Sequence, residues 1–175
     1  MWADACCLPA IDPRNVPLIQ VNVYLADLFV LVALHKEMIV GTTEQNNKEI
    51  VRRFNKECIE DGNQQSLNQL VHPSFINYTA PPGMDKTREA AWQTIQVLRN
   101  SLTGLKVDLL MQVAENDLVT TYKVLSGLHS AEFMGVPATN KMVSLYIIDI
   151  IRLEDGKYME HWSIRDIYSL LNQLK

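Results

Sequence analysis

Arg152 and His161 are the residues whose type and setting most suggest chemistry. They lie among isoleucines on either side of Asp155-Gly156. Asp-Gly between two β-branched runs predicts a two-residue type I′ turn, because both central positions need φ > 0. With that turn, Glu154 stands opposite Lys157, Arg152 opposite Met159, Ile150 opposite His161 and Ile148 opposite Ser163. Strand side chains alternate faces with period two. One face then carries Ile148, Ile150, Arg152, Met159 and His161. The other carries Asp149, Ile151, Leu153, Tyr158, Glu160 and Trp162. A guanidinium can hold an anionic oxygen, and an imidazole can donate a hydrogen bond or orient a carboxylate. Among isoleucines, the two suggest a polar site inside an apolar wall. Asp166 follows where the chain leaves the second strand. Each residue also has a plainer reading. Arg152 can pair across the strands with a carboxylate, and His161 can be a satisfied core histidine. Asp166 can cap the C-terminal helix or pair with Arg165.

The elements that must position these groups are readable along the chain. Thr42 or Thr43 can cap a first helix, with Glu44 near its positive end. Ile50, Val51, Phe54, Cys58 and Ile59 follow at helical spacing, and Gly62 stops the helix. A short helix over 64–70 ends before Pro73, and 75–79 is extended. Ala80-Pro-Pro-Gly83 is a rigid turn that cannot continue a helix. Asp85 or Thr87 starts a helix over 87–101, with Ala91, Ile95 and Leu98 inward. Antiparallel runs over 105–115, 118–129 and 141–154 come next, the first two joined tightly at Asn116-Asp117. A last strand over 157–164 and a short helix over 164–174 end the chain. Helices first and strands afterwards read as α+β, not as alternating βαβ units.

Composition narrows the function classes. With 175 residues, 47% hydrophobic and 21% charged, the chain fits one soluble domain. A chain this long buries about 68–70% of its unfolded surface, enough for a core plus a pocket. A net charge of −4 and a pI near 5.5 argue against a nucleic-acid partner. Cys6 and Cys7 are adjacent and a poor disulfide pair, and with Cys58 they read as reduced thiols in a cytoplasm. No Cys/His spacing suggests a metal site, and no GxGxxG or Walker loop suggests a nucleotide cofactor. The stretch 16–34 is apolar but broken by Pro17, Gln20, Asn22 and Asp27. A charge at the centre of a membrane span costs about 2.5–3.5 kcal/mol, so a span is disfavoured. Residues 1–43 therefore read as an N-terminal extension: a poor membrane or signal segment, an added helix, or an upstream stretch absent from the native product. The last is favoured, because a start at Met38 leaves the domain over 44–175 complete.

Several motifs together carry a family likeness. They are Asp149-Ile-Ile-Arg152, Asp155-Gly156-Lys157, Glu160-His161-Trp162 and Asp166, with Gly127-Leu-His129-Ser-Ala-Glu-Phe133-Met-Gly135-Val-Pro137 upstream. In order and spacing they resemble the SnoaL-like polyketide cyclase family, also described as ester-cyclase-like, within the nuclear-transport-factor-2-like superfamily. The resemblance covers roughly 44–175. It implies a curved antiparallel sheet with helices packed on its concave face, a cone-shaped, cystatin-like α+β barrel with a deep apolar pocket. It also implies a homodimer and a small apolar ligand, with no cofactor and no metal. In the polyketide cyclases the aspartate shortly after the His-Trp pair is the acid/base, and Asp166 holds that position. An aldol closure needs a base for the proton α to a carbonyl and an acid for the new alkoxide. His161 is then expected to support Asp166 or donate to the enolate oxygen. Arg152, His129, Tyr78, Trp162, Tyr146 and Phe133 are expected to contact substrate. Ser163 stands where members often show a second acid, which leaves Asp166 alone in that segment. Two classes stay open: a cofactor-independent enzyme of lyase or isomerase type, and a silent protein that only binds a small molecule. A buried Asp166 facing a cavity favours the first, and a solvated helix cap favours the second.

Overall fold

The computed structural model describes residues 42–175; the readings of the N-terminal stretch, including a start at Met38, lie outside the described residues. Helix α1 (Thr43–Arg53) begins where the capping signal predicts. The Thr42 hydroxyl accepts the Gln45 N–H at 3.3 Å, and Glu44 sits in the first turn. The helix then widens into a π-helical turn (Phe54–Glu60), closed by Asp61 N–H donating to the carbonyl of Lys56. The Arg99 guanidinium takes up the free carbonyls of Ile59 and Glu60. Gly62 is needed beside it. Its φ is +71°, and a Cβ there would lie 2.5 Å from Arg99 Nε. Helix α2 (Gln64–Leu70), capped by Asn63, runs directly into β1 (Val71–Asn77). Helix α3 (Arg88–Ser101) is capped by Thr87. Strands β2 (Leu102–Glu115), β3 (Leu118–His129), β4 (Met142–Glu154) and β5 (Lys157–Arg165) follow, and α4 (Ile167–Leu174) closes the chain.

The fold is α+β, as expected, with one five-stranded sheet in the order β1-β5-β4-β3-β2. Strands β2 to β5 are antiparallel. The sheet is open, with β1 and β2 as its edges, rather than closed into a barrel. One pairing was not expected: β1 lies parallel to β5, with Asn77 beside His161. Periodicity reports faces, not partners, so a distant parallel edge leaves no local trace.

Helices cover one face of this sheet. Val51 of α1 packs with Val119, Ile151, Leu153 and Tyr158. Ile95 of α3 and Leu170 of α4 pack with Leu125, Val143, Leu145 and Ile147. The inward residues of β4 are therefore Val143, Leu145, Ile147, Asp149, Ile151 and Leu153, and those of β3 include Thr121 and Lys123. Ile148, Ile150, Tyr122 and Tyr146 point to the opposite, exposed face.

The hairpin corrects the expected register. The turn itself is as predicted, with φ of 49° at Asp155 and 70° at Gly156, and Glu154 pairs with Lys157. Leu153 then pairs with Tyr158, but Arg152 pairs with Glu160, Ile151 with His161, and Asp149 with Ser163. Met159 is the extra residue of a β-bulge. Beyond it every partner is shifted by one, which moves His161 to the face of Asp149 and separates it from Arg152. Tyr158 and His161 both face the helices, three residues apart in a strand.

Candidate active site

A row of polar side chains crosses the helix-covered face in register. Asp149 of β4 is paired with Thr121 on one side and Ser163 on the other. Lys123 of β3 and His161 of β5 are therefore its diagonal neighbours. Lys123 Nζ lies 2.6 Å from Asp149 Oδ2, and His161 Nε2 lies 3.1 Å from Asp149 Oδ1. His161 Nδ1 lies 3.1 Å from Oδ1 of Asn77, the last residue of β1. At the other end, Lys123 Nζ donates to Asn55 Oδ1 at 2.6 Å. Asn55 in turn donates to the carbonyl of Val51 at 2.8 Å. The π-helical turn carries Asn55 and aims it down at the sheet.

Two of these bonds settle proton positions. The Thr79 backbone N–H, which can only donate, donates to Asn77 Oδ1 at 3.1 Å, and the Thr79 hydroxyl donates at 3.2 Å. The Asn77 atom facing His161 is thus an acceptor, so His161 Nδ1 carries the hydrogen. The other ring nitrogen, Nε2, is the one that faces Asp149. Burial by itself raises the Asp149 carboxyl, but the Lys123 ammonium and the His161 hydrogen bond outweigh it. The group is held well below its ordinary value of 3.8 and stays ionised.

These groups line a cavity of about 100 Å³. Asn77, Lys123, Asp149, His161 and Arg165 supply its polar side, and Phe54, Ile59, Phe75, Ile95 and Ile151 much of its apolar wall. The Phe75 ring stacks on His161 at 6.5 Å between centroids. Tyr158 also lines the cavity, and burial pushes its hydroxyl well above its ordinary value, so it stays neutral. The result is an ionised carboxylate in an apolar cavity, with two cationic or donor groups set against it. Such a site can take a proton from carbon and stabilise the anion left behind. Among the described residues, no cluster of three or more His, Cys, Asp or Glu could hold a metal ion.

Of the residues expected at the site, only His161 lines this cavity. Asp166 caps α4: its carboxylate accepts the Ser169 N–H at 3.0 Å, which lowers it below its ordinary value, and it is fully exposed. Arg152 faces away, bonded to Glu160 at 2.6 Å and Glu154 at 2.9 Å, the cross-strand pairing of its plainer reading. Tyr78 and Trp162 stack with centroids 5.1 Å apart, and Tyr146 stacks with Tyr122 on the outer face. His129 is fully buried at the end of β3, its Nδ1 accepting the Thr139 N–H. Phe133 packs in the core between α3, α4 and the sheet. The missed residues are Asp149, Lys123, Asn77 and Arg165, which line the cavity, and Asn55, which holds Lys123. A signal did exist for two of them: Asp149 and Lys123 are charges inside apolar strands, as Arg152 is.

The family model of the SnoaL-like polyketide cyclases matches residues 49–174. Nogalonic acid methyl ester cyclase of Streptomyces nogalater is 24% identical over 115 residues, covering 65% of this chain and 86% of the cyclase. Among solved structures, TsrD from Streptomyces laurentii superposes with a TM-score of 0.69 at 23% identity, covering 77% of this chain and 98% of TsrD. Wild-type IdmH from Streptomyces antibioticus gives 0.66 at 27% identity, covering 73% of this chain and 97% of IdmH. The open sheet, its helix-covered polar row and the match over nearly all of the described residues place this chain in the SnoaL-like polyketide cyclase family.

Proposed function

We propose that this protein is a cofactor-independent enzyme that forms and redirects an enolate, as in a polyketide-cyclase-type intramolecular aldol closure. The observation that carries this reading is Asp149, an ionised carboxylate buried in an apolar cavity between Lys123 and His161. Asp149 takes the proton from a carbon α to a carbonyl; the C–H electron pair becomes the enolate C=C bond, and the carbonyl π pair moves onto the carbonyl oxygen. The enolate carbon then bonds to a second carbonyl carbon of the same molecule. The alkoxide so formed receives the proton back from Asp149, with His161 Nε2 keeping the carboxyl in place. Product and substrate are isomers, and no other reactant is consumed. A carboxylate held this low is a weak base, which suits a carbon acidified by flanking carbonyls. The cavity is well under the roughly 300–1,000 Å³ of drug-sized sites, so it suits the reacting fragment of a small apolar carbonyl compound.

Asp166, which the resemblance offers as acid/base, is assigned the role of helix cap in this reading. The alternative of a silent binding protein draws on that cap, and on the polar row bonding internally at every member. The family resemblance also suggests a homodimer. Tyr122, Tyr146, Ile148, Ile150 and Ile164 are exposed on the sheet's outer face, and a second copy is the occupant we propose. The deciding experiment is identification of the co-purified small molecule by mass spectrometry. Its α-carbon exchange in deuterated water is then followed with wild type and Asp149→Asn. Exchange with wild type that falls by about 10²–10⁴ in the variant supports the enzyme. Binding without exchange leaves the silent alternative.

A further inference from the structure

We propose that Lys123 is a catalytic residue of this site, binding the enolate oxygen through the ammonium N–H that its own partners leave free. The inference rests on the enolate reading above and adds the group that receives the negative charge. Lys123 is a rare kind of lysine. Its side chain is 3% exposed, on an interior strand, where an uncompensated ammonium is costly. An ammonium has three donors. Two are occupied, by Asp149 Oδ2 and Asn55 Oδ1, both at 2.6 Å. No acceptor for the third occurs among the described residues, yet Lys123 lines the cavity. A purely structural counter-ion for Asp149 needs no contact with the cavity, and His161 already supplies a partner on the other carboxylate oxygen.

The arrangement also keeps the ammonium from moving to another place. Asn55 is 2% exposed and is itself held by Val51, so Lys123 is fixed between a helix and the sheet. When Asp149 accepts the substrate proton, its charge is lost from the lysine's surroundings. The ammonium then faces one anion, the enolate oxygen, instead of its carboxylate. The attraction grows as the reaction proceeds, which is what transition-state stabilisation requires.

The test uses 4-nitrophenol, a small planar acid whose anion resembles an enolate and absorbs visible light where the neutral form does not. Near the pH at which the free phenol is half ionised, adding wild-type protein should raise the phenolate absorbance. Asp149→Asn removes the internal anion but keeps the ammonium, and phenolate binding should strengthen, by about tenfold. The doubly neutral Lys123→Met with Asp149→Asn leaves no buried charge unpaired, and phenolate affinity should fall by about tenfold or more below that of Asp149→Asn. Equal phenolate affinity in these two variants would overturn the proposal, as would wild type that does not favour the anion. If the double variant does not fold, Asp149→Asn decides alone: unchanged or weaker phenolate binding defeats the assignment. Because the readout is binding, the outcome is separate from whether Asp149 is the base, which is read from α-carbon exchange.

Discussion

The two faces of the sheet carry similar residue types and put them to different use. On the helix-covered face, Lys123, Asp149, His161 and Asn77 form one chain of bonds across four strands, walled by Phe54, Phe75 and Ile95. On the outer face, Arg152, Glu160 and Glu154 form an equally short network, beside the Tyr78–Trp162 stack. The inner charges have lost their water, so each depends on its partner. The outer charges keep water as an alternative, and removing one costs little. A single bulge at Met159 decides which face receives His161. Burial, not residue type, separates the proposed site from the scaffold here.

The largest effect on folding is expected from Lys123→Met, which strands the Asp149 carboxylate without its cation. Chemical denaturation should show a loss of about 3–5 kcal/mol. The wild-type pair stabilises the fold above the ordinary carboxyl value of 3.8, and because Asp149 is depressed this is lost progressively as pH falls below 3.8 towards the depressed value. In Lys123→Met, burial raises the carboxyl instead, so the deficit should shrink as the solution is acidified. A stability loss that is small or flat with pH would make the inner row no different from the outer one.

Deleting Met159 removes the extra residue and should leave a regular hairpin with the same partners, Glu160 opposite Arg152 and His161 opposite Ile151 on the inner face. His161→Gln should lower α-carbon exchange by about tenfold, the worth of one charged hydrogen bond. The deletion should keep its sheet by circular dichroism and lose less exchange activity than His161→Gln. A loss larger than that of His161→Gln would show that register alone does not place the imidazole. The smallest effect is expected on the outer face. Arg152→Ala should change stability by about 0–1 kcal/mol and leave turnover unchanged.

Much of the scaffold was legible because its signals are local. Thr42 and Thr87 cap their helices through atoms within three residues, and Asp155-Gly156 adopts positive φ through its own sterics. The helix-then-strand order gave the α+β class, and the motif spacing around Asp155-Gly156 pointed to the family. The site was less legible for a physical reason. Strand β4 reads Ile147-Ile-Asp149-Ile-Ile, apolar on both faces, so alternation cannot say which set is inward. The turn alone points to one choice, but the bulge three residues beyond it reverses the outcome for His161 and the residues after it. Asn77 reached the site through a parallel pairing, and Asn55 through a π-helical turn; neither leaves a periodic mark. Asp166 caps α4, and a helix cap and a catalytic carboxylate can occupy the same short segment of chain, so sequence alone does not separate the two roles.

The central claim is that the buried aspartate, and not the exposed one, carries the chemistry. The direct measurement is α-carbon hydrogen exchange of the identified ligand in two matched variants, Asp149→Asn and Asp166→Asn. Both keep side-chain shape and remove a charge. The account predicts that Asp149→Asn lowers the exchange rate by about 10²–10⁴, while Asp166→Asn stays at the wild-type rate with only a lower melting temperature from the weakened α4 cap. A large loss in Asp166→Asn with Asp149→Asn still active would contradict it.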